Sequence, residues 1–408
     1  MKVAVIGAGV SGLAFAKYAS IYRQELDVHI FESESSIGGI AKVKMIGNIP
    51  FHMVGGHCFN SKFQDVKDFV FNDVLPESEW NKIERKASIL LDGYKVHYPI
   101  EYSIKEIYHH DPQLAANIII DFLAEPESKS DNLGDWFINN FGRVLSEKYF
   151  IPYNKKIWNR DPFTMSFEWV SDKLPMPNKN EFVKGLFESA KDVMPHSSFY
   201  YPKAGTQNKF IDCLSEDLNI RLNTKISNIS IDKISNKILL NGECFDKLVY
   251  TAPLDEVVNI INGMPEHVKN AANNLKFNKV TTMIWESEQT EDTWTYVPDP
   301  KILFHRMIHI GKFINSEQNY TITETVGERS YEDMIKSGQQ ISMLLKPIDY
   351  NVSNRAYVVF DKNIADHKNT IFSELKESGI HVLGRFGEWE YYNMDICIKQ
   401  AQELVKSI

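Results

Sequence analysis

The feature that most constrains the fold is a glycine pattern between an apolar strand and a helix. The run "KVAVIG" is continuously apolar, and Gly7, Gly9 and Gly12 follow as G-x-G-x-x-G. Helical periodicity begins there, and "LDVHIF" supplies a second apolar strand that leads into Glu32. Uninterrupted apolar runs are typical of parallel strands that are covered on both faces. We therefore predict a βαβ unit over residues 2–33 and a Rossmann-like α/β fold.

The same glycines predict a dinucleotide site. Gly7 makes the turn, Gly9 lets the backbone approach a pyrophosphate, and Gly12 lets the helix pack closely on the strand. The helix N-terminus offers free N–H groups to the phosphates. Glu32, the acid that follows the second strand, can accept hydrogen bonds from a ribose. A bare glycine pattern also fits a structural turn, but the strand, helix and acid together favour the dinucleotide.

A second set of glycines favours FAD over NAD. Gly38 and Gly39 follow soon after Glu32, as in flavoproteins of the glutathione-reductase and amine-oxidase superfamily. Gly55 and Gly56, in "GGHC", offer another place where bare backbone can run close to a cofactor.

The remaining patterns predict an FAD-binding domain interrupted by two other regions. Asp92-Gly93 reads as the turn of a β-hairpin, and "VTTMIWES", "ILFHRMIHI" and "YTITETVG" look like antiparallel strands. Between the hairpin and the later strands the periodicity is helical. We assign the FAD-binding domain to residues 1–85, 199–260 with a β-meander, and 351–408, an antiparallel β-sheet domain to 86–102 and 261–350, and a helical insertion to 103–198.

Charge and composition narrow the partners. The net charge of −9 argues against nucleic acid or an anionic membrane surface as the main partner. The four cysteines, Cys58, Cys213, Cys244 and Cys397, show no metal-type spacing, so we predict no metal site. No N-terminal stretch resembles a signal peptide, and the apolar patches are too short for stable membrane insertion. We expect a cytoplasmic protein.

Seven short segments resemble, in the same order, those of the UDP-galactopyranose mutase family. They are "VGGHCFNSK", "LDGYKVHYPI", "KYFIPYNKKIW", "YYPKAGTQNKFID", "LFHRMIHIGKF", "YVVFDKN" and "GRFGEWEYYNMD". Their shared order over the chain makes the resemblance specific. It implies an isomerase that binds FAD.

For the cofactor, the resemblance implies contacts from two segments. His57, in the glycine-histidine loop, is expected beside the flavin ring. Arg385 is expected to bind flavin, and Asn393, Met394 and Asp395 close the same signature.

For the substrate, the resemblance implies a nucleotide-sugar cleft. Arg306, Tyr357 and Tyr391 are expected at the diphosphate, while Tyr153 and Trp158 are expected to help form the cleft. The chain departs from the family at two positions. Lys173 stands where the family has an arginine, and "AANNLKF" lacks another. A lysine keeps the charge but loses the bidentate fork, so the identity of the substrate is left open.

The activity that the resemblance implies is interconversion of the pyranose and furanose forms of a UDP-galactose-like nucleotide sugar, for cell-surface polysaccharide biosynthesis. Reduced flavin, maintained by NAD(P)H or another reductant, would attack the anomeric carbon through N5 and expel the nucleoside diphosphate. Arg306, Lys173, Tyr357 and Tyr391 would stabilise that leaving group, with His57 beside the flavin. A homodimer is one possible assembly.

Two other functions fit part of the sequence. An FAD-dependent oxidoreductase of the amine-oxidase or protoporphyrinogen-oxidase type shares the glycines and Glu32. A flavin-binding relative without catalysis would explain the two departures. Individual residues also have structural alternatives: Arg385 in a salt bridge, His57 as a turn histidine, and Tyr153 and Trp158 as packing of the helical region.

Overall fold

Strands from distant parts of the chain come together in the sheets of this protein. The structure, a computed structural model, describes residues 1–124, 129–170, 174, 176–187, 198–232, 235 and 237–408, so Lys173 lies outside the described residues. The described strands are β1 (Lys2–Ile6), β2 (Asp27–Phe31), β3 (Val43–Ile46), β4 (Ile49–His52), β5 (Trp80–Glu84), β6 (Ala87–Leu91), β7 (Tyr94–His97), β8 (Ser198–Pro202), β9 (Asn219–Arg221), β10 (Ile229–Asp232), β11 (Lys237–Leu240), β12 (Glu243–Phe245), β13 (Lys247–Tyr250), β14 (Lys276–Ser287), β15 (Trp294–Tyr296), β16 (Arg306–Ile308), β17 (Asn319–Val326), β18 (Leu344–Val359) and β19 (Ile380–Val382).

Helices connect and cover these strands. The described helices are α1 (Val10–Tyr22), α2 (Gln64–Asp68), α3 (Ile104–His110), α4 (Pro112–Leu123), α5 (Leu133–Phe141), α6 (Arg143–Leu145), α7 (Ile151–Trp158), α8 (Lys179–Gly185), α9 (Asn208–Ser215), α10 (Leu254–Ile260), α11 (Glu266–Asn273), α12 (Ile310–Phe313), α13 (Tyr331–Gly338), α14 (Ile364–Glu377), α15 (Gly384–Gly387) and α16 (Met394–Ser407). Local sequence sets several boundaries. Asp111 caps α4 through the Leu114 N–H, with proline as the first helical residue. Asn178 and Glu181 form a capping box at α8. Within the part of the chain that the structure describes, every helix is too short or too polar to cross a membrane.

The dinucleotide-type sheet has five parallel strands in the order β19-β13-β1-β2-β9. β1 pairs in parallel with both β2 and β13, so that Ile6 lies opposite Phe31 and Tyr250. The predicted βαβ unit and the Rossmann-like α/β class are therefore confirmed. The carboxyl ends of parallel strands meet at one edge of the sheet, which is where such folds bind ligands.

The second large sheet has seven strands in the order β18-β14-β17-β16-β15-β6-β7. The predicted hairpin is confirmed, because Leu91 pairs with Tyr94 across a two-residue turn. Both turn residues, Asp92 and Gly93, have positive φ angles of 48° and 88°, as a type I′ turn requires.

Two predictions about this sheet need correction. The predicted strand "ILFHRMIHI" is extended only over β16, and the chain then turns into α12, which buries Ile310 and Phe313 at helical spacing. The sheet also runs past the predicted boundary at residue 350. β18 pairs with β14 as far as Val359, so residues 351–359 continue the large sheet. The register of this pair shifts at three places, as it does at β-bulges.

Candidate functional site

A cavity of about 1160 Å³ extends from the carboxyl edge of the parallel sheet to the large sheet. Gly7, Gly9 and Glu32 line the first part, while Arg306 and Tyr357 line the second. Pockets for single small ligands typically occupy about 300–1,000 Å³. The volume of this cavity therefore exceeds the usual range for one small ligand.

Bare backbone forms the cradle at the carboxyl end of β1. A Cβ on Gly12 would lie 2.1 Å from the carbonyl oxygen of Gly7, so α1 can lie this close to the strand only with glycine there. A Cβ on Gly39 would lie 3.2 Å from the Cα of Gly9, which places the second glycine pair against the first turn. The N-terminus of α1 opens into this cradle without an acidic residue in its first turn. The cradle fits a pyrophosphate.

Glu32 is positioned to receive a ribose. Its carboxylate is 8% exposed, accepts hydrogen bonds from the N–H groups of Ala8 (2.8 Å) and Glu34 (2.9 Å), and lines the cavity. The Ser33 hydroxyl also donates to it at 3.2 Å. A carboxylate has about four acceptor positions, so about one is left for a sugar hydroxyl. The residues present therefore fit a dinucleotide cofactor.

The short helix α15 explains why an arginine stands between glycines. Gly384 has a φ of +81°, and a Cβ there would lie 2.0 Å from the Ser11 Oγ on α1. A Cβ on Gly387 would lie 2.6 Å from the carbonyl oxygen of Tyr250 at the end of β13. These glycines let α15 press against the dinucleotide sheet and bring Arg385 to the cavity wall.

Two tyrosines and a carbonyl hold Arg385 in place. Its Nη2 donates to the Ala356 carbonyl at 3.0 Å, and its guanidinium carbon lies 4.5 Å and 5.2 Å from the ring centroids of Tyr391 and Tyr357. The two rings are stacked, with centroids 5.8 Å apart. The Nε of Arg385 is buried and has no partner among the described residues. The same cavity is lined by all three residues, Arg385, Tyr357 and Tyr391, which the sequence analysis predicted for one site.

Glu324 on β17 is the centre of a hydrogen-bonded cluster that the sequence analysis missed. This fully buried carboxylate accepts from the Gly55 N–H (2.5 Å), from Arg306 Nη2 (2.6 Å) and from the Tyr357 hydroxyl (2.8 Å). Arg306 Nη2 also lies 2.5 Å from the Tyr357 oxygen. The signal in the sequence was a lone acid in the strand "YTITETVG".

Charge pairing changes what Arg306 can do. Burial opposes ionisation of Glu324, but Arg306 and then His305 outweigh it and hold the pKa of that carboxyl well below its usual range. The carboxylate in turn holds the pKa of Arg306 well above its usual value, against the opposing effect of burial. Arg306 lines the cavity as predicted, but a carboxylate already neutralises much of its charge.

His57 lies in the cavity wall as a neutral group. Burial, followed by the nearby Arg385 charge, lowers the pKa of His57 to about 3. Its backbone N–H donates to His52 Nδ1 at 3.2 Å, and His52 Nε2 lies 2.9 Å from the Tyr201 hydroxyl. The glycine-histidine loop is thereby tied to β4 and β8.

The remaining predicted residues divide between the cavity wall and the layer behind it. Gly38, Gly55, Gly56, Asn393 and Met394 line the cavity with the residues already named. Asp395 is buried one residue into α16. Trp158 is 2% exposed and packs edge-on against Tyr357 and Tyr391 from behind, while Tyr153 packs against Tyr296 and His305. Contact of Trp158 and Tyr153 with a substrate stays a prediction.

Comparison with known proteins agrees with the fold. Residues 5–72 match the NAD(P)-binding Rossmann-like domain family. The dTDP-fucopyranose mutase of Escherichia coli is 20% identical, over 98% of this chain and 97% of that protein. The resemblance to the mutase family is confirmed. A solved structure of reduced UDP-galactopyranose mutase matches the fold with a TM-score of 0.85 and 21% identity, over 99% of this chain and 93% of that one.

The same fold also occurs outside the mutases. A protein from Exiguobacterium sp. 255-15, described as a candidate protoporphyrinogen oxidase, matches with a TM-score of 0.76 and 18% identity, over 100% of this chain and 98% of that one. At this identity the likeness concerns the fold alone. The choice between isomerase and oxidase therefore depends on the site.

Proposed function

We propose that this chain is a flavin-dependent mutase that interconverts the pyranose and furanose forms of a nucleotide-diphosphate sugar of the UDP-galactose type, for cell-surface polysaccharide biosynthesis. One observation carries the proposal. A single cavity joins the dinucleotide cradle to a wall that presents Arg306, Tyr357, Arg385 and Tyr391. A cofactor and an anionic second ligand can therefore meet in one cavity.

The cofactor part of the proposal assigns FAD to the cradle. The backbone at Gly7–Gly12 and Gly38-Gly39 would hold the pyrophosphate, Glu32 the ribose, and Arg385 with Asn393 and Met394 the flavin end. When bound in its reduced form, FAD supplies a nucleophilic N5 for the anomeric carbon, and NAD(P)H or another reductant keeps it reduced.

The protein's own task is to stabilise the departing diphosphate. We assign this task to the phenols of Tyr357 and Tyr391, while the Arg385 cation beside them, which has no carboxylate partner among the described residues, serves the flavin end. Arg306 adds donors that Glu324 holds in a fixed position. Groups that are already oriented before charge develops need no rearrangement at the moment of reaction. We also propose Lys173 as a further cation, although it lies outside the described residues.

His57 would contribute as a neutral group. With a pKa of about 3 it carries no charge near neutral pH, so it would not repel the cations Arg306 and Arg385. A neutral imidazole has one donor and one acceptor nitrogen, so His57 could form a hydrogen bond with a ligand in either role. Its backbone contact to His52 keeps it in the wall of the cavity.

The test is a panel of UDP-, dTDP- and GDP-pyranoses incubated with dithionite-reduced, FAD-loaded protein, followed by separation of the products. The proposal expects a furanose isomer only after reduction and with no net redox change. Oxygen consumption or substrate-driven bleaching of the flavin would favour an oxidase. A colourless protein that cannot be reconstituted with FAD would exclude both.

A further inference from the structure

Arg85 is a cavity-lining cation to which nothing above gives a role. It lies between β5 and β6 and lines the same cavity as Arg306. Its Nη2 donates to the Tyr296 hydroxyl at 2.7 Å, and its guanidinium carbon lies 5.1 Å from the Trp294 ring centroid. Its Nε is buried and has no hydrogen-bond partner among the described residues.

Among the residues that the structure describes, no carboxylate pairs with Arg85. The ionisable groups with the largest effect on it are Tyr296, Tyr98 and Cys58, none of which is a carboxylate. Two other arginines that line the cavity are paired: Arg306 with Glu324, and Arg355 with Asp255 through two bonds of 3.1 Å and 2.9 Å. An arginine side chain stays charged, and a buried charge without a partner is unfavourable. Such a charge is expected where a ligand supplies the missing anion.

The position of Arg85 places it on the wall proposed to meet the substrate. Tyr296, which accepts its hydrogen bond, pairs in register with Arg306 across β15 and β16. Trp294, over which it stacks, packs against Gly56 of the glycine-histidine loop. Arg85 is therefore linked to the Arg306 side of the cavity and to the loop that carries His57.

We propose that Arg85 forms a second oxyanion subsite that binds an oxygen of the nucleotide sugar, either of its diphosphate or of a carboxylate on its sugar. This inference rests on the function proposed above, which makes the ligand a nucleotide sugar. The experiment must therefore distinguish failure of the inference from failure of that function. A planar guanidinium has five N–H donors, and those beyond the bond from Nη2 to Tyr296 can bind either oxyanion.

The experiment is calorimetric titration of the FAD-loaded protein with UMP, UDP, UDP-galactose and UDP-galacturonate, and with dTDP and dTDP-galactose in parallel. The variant is Arg85→Met, which keeps an unbranched stem against Trp294 and removes the charge. The matched control is Arg143→Met, since Arg143 is an exposed arginine paired with Glu147 on the protein surface.

Loss of a charged hydrogen bond should weaken binding about 10-fold to 100-fold. If Arg85 binds the diphosphate, UDP and UDP-galactose lose affinity and UMP does not. If it binds a sugar carboxylate, only UDP-galacturonate loses affinity. Arg143→Met should leave the affinity for each of these ligands unchanged. Unchanged affinity of Arg85→Met for every ligand that the wild type binds would overturn this inference alone, whereas a wild type that binds none of them would overturn the proposed function.

The melting temperature of Arg85→Met, measured without sugar nucleotide, shows whether Arg85 stabilises the fold. Removing an uncompensated charge should leave it unchanged or raise it. A lower melting temperature with unchanged affinities would show that Arg85 is structural. Arg85→Lys, which keeps the charge but loses the fork, should restore part of the affinity if an oxyanion binds there.

Discussion

Among single residues, Glu324 controls how Arg306 can act. Its carboxylate is fully buried and bonds to Arg306, Tyr357 and the Gly55 N–H, so it orients three elements of the wall. It also offsets the Arg306 charge. Arg385, by contrast, is held by aromatic faces and one carbonyl. The two arginines therefore differ: one is anchored and largely neutralised, and the other keeps its charge for a ligand.

Replacing Arg306 with alanine should lower turnover about 10²-fold or more, because donors aimed at developing charge are lost. Flavin should stay bound, since the glycine cradle does not depend on Arg306. Steady-state turnover and the flavin absorbance measure the two effects. The turnover of Arg306→Lys, which keeps the charge and loses the bidentate guanidinium, should lie between those of the wild type and the alanine variant. Wild-type turnover in the alanine variant would remove Arg306 from the active site.

Replacing Arg385 with alanine should weaken flavin retention, because the guanidinium lies at the cavity wall between the tyrosines and the cradle. The dissociation constant of FAD, measured on apoprotein, should rise about 10-fold or more if a charge-assisted hydrogen bond is lost. Arg385→Lys serves as the control that keeps the charge. A fully loaded and equally active alanine variant would assign Arg385 a structural role.

At the scale of elements, the packing of α15 depends on glycine. Gly384 and Gly379 both have positive φ angles, of +81° and +69°, so alanine strains the backbone at each. Only Gly384 also meets a neighbour, because a Cβ there would lie 2.0 Å from Ser11 Oγ, whereas Gly379 faces open space. The pair separates backbone strain from the contact between α15 and α1.

Gly384→Ala should therefore displace α15 and Arg385, while Gly379→Ala should cost only the backbone strain of about 1 kcal/mol. We expect a clear loss of FAD affinity and a larger drop in melting temperature for the first variant alone. Equal effects in both variants would show that the close approach of α15 to α1 is unimportant.

At the scale of the whole molecule, the fold encloses several histidines, of which His57 lines the cavity between the two sheets. Burial is the main cause that lowers the pKa of His52, His57 and His309 to about 3. His309 also lies within hydrogen-bond distance of Thr295 and Thr321 at the centre of the large sheet. Each of these rings remains neutral in the folded state at pH values where the unfolded chain would be protonated.

Stability should therefore fall as pH is lowered. A histidine with a folded pKa of about 3 and an unfolded value of about 6.5 contributes fully above pH 6.5, and the contribution is lost towards pH 3. Each such group changes the free energy of unfolding by up to about 1.4 kcal/mol per pH unit in that window. Glu324, whose pKa is lowered, adds to the loss below about pH 4.3.

Urea unfolding of FAD-saturated protein between about pH 7.5 and pH 5 measures this dependence. His309→Gln should flatten the curve, and His109→Gln, at an exposed position, should leave it unchanged. An unchanged slope in His309→Gln would show that His309 does not titrate between the folded and unfolded states.

Local sequence predicted those parts of the fold whose causes are local. Gly7–Gly12 and the hairpin at Asp92-Gly93 were found because a turn and its flanking strands lie close together in the chain. The end of β18 at Val359 was missed, since its pairing partner in β14 is about eighty residues away in the chain. The resemblance to the mutase family led to Arg306, Tyr357, Arg385 and Tyr391, which the structure brings to one cavity.

The sequence by itself determined the βαβ unit and the dinucleotide cradle, because these follow from spacing, backbone freedom and side-chain chemistry, whereas the residues of the cationic wall were expected from the family resemblance. Only the tertiary structure decided which charges are paired. Glu324 neutralises Arg306 and no carboxylate among the described residues reaches Arg85, although nothing local distinguishes the two arginines. The charge that remains on an arginine depends on the groups that the fold brings beside it, and those groups come from distant parts of the chain.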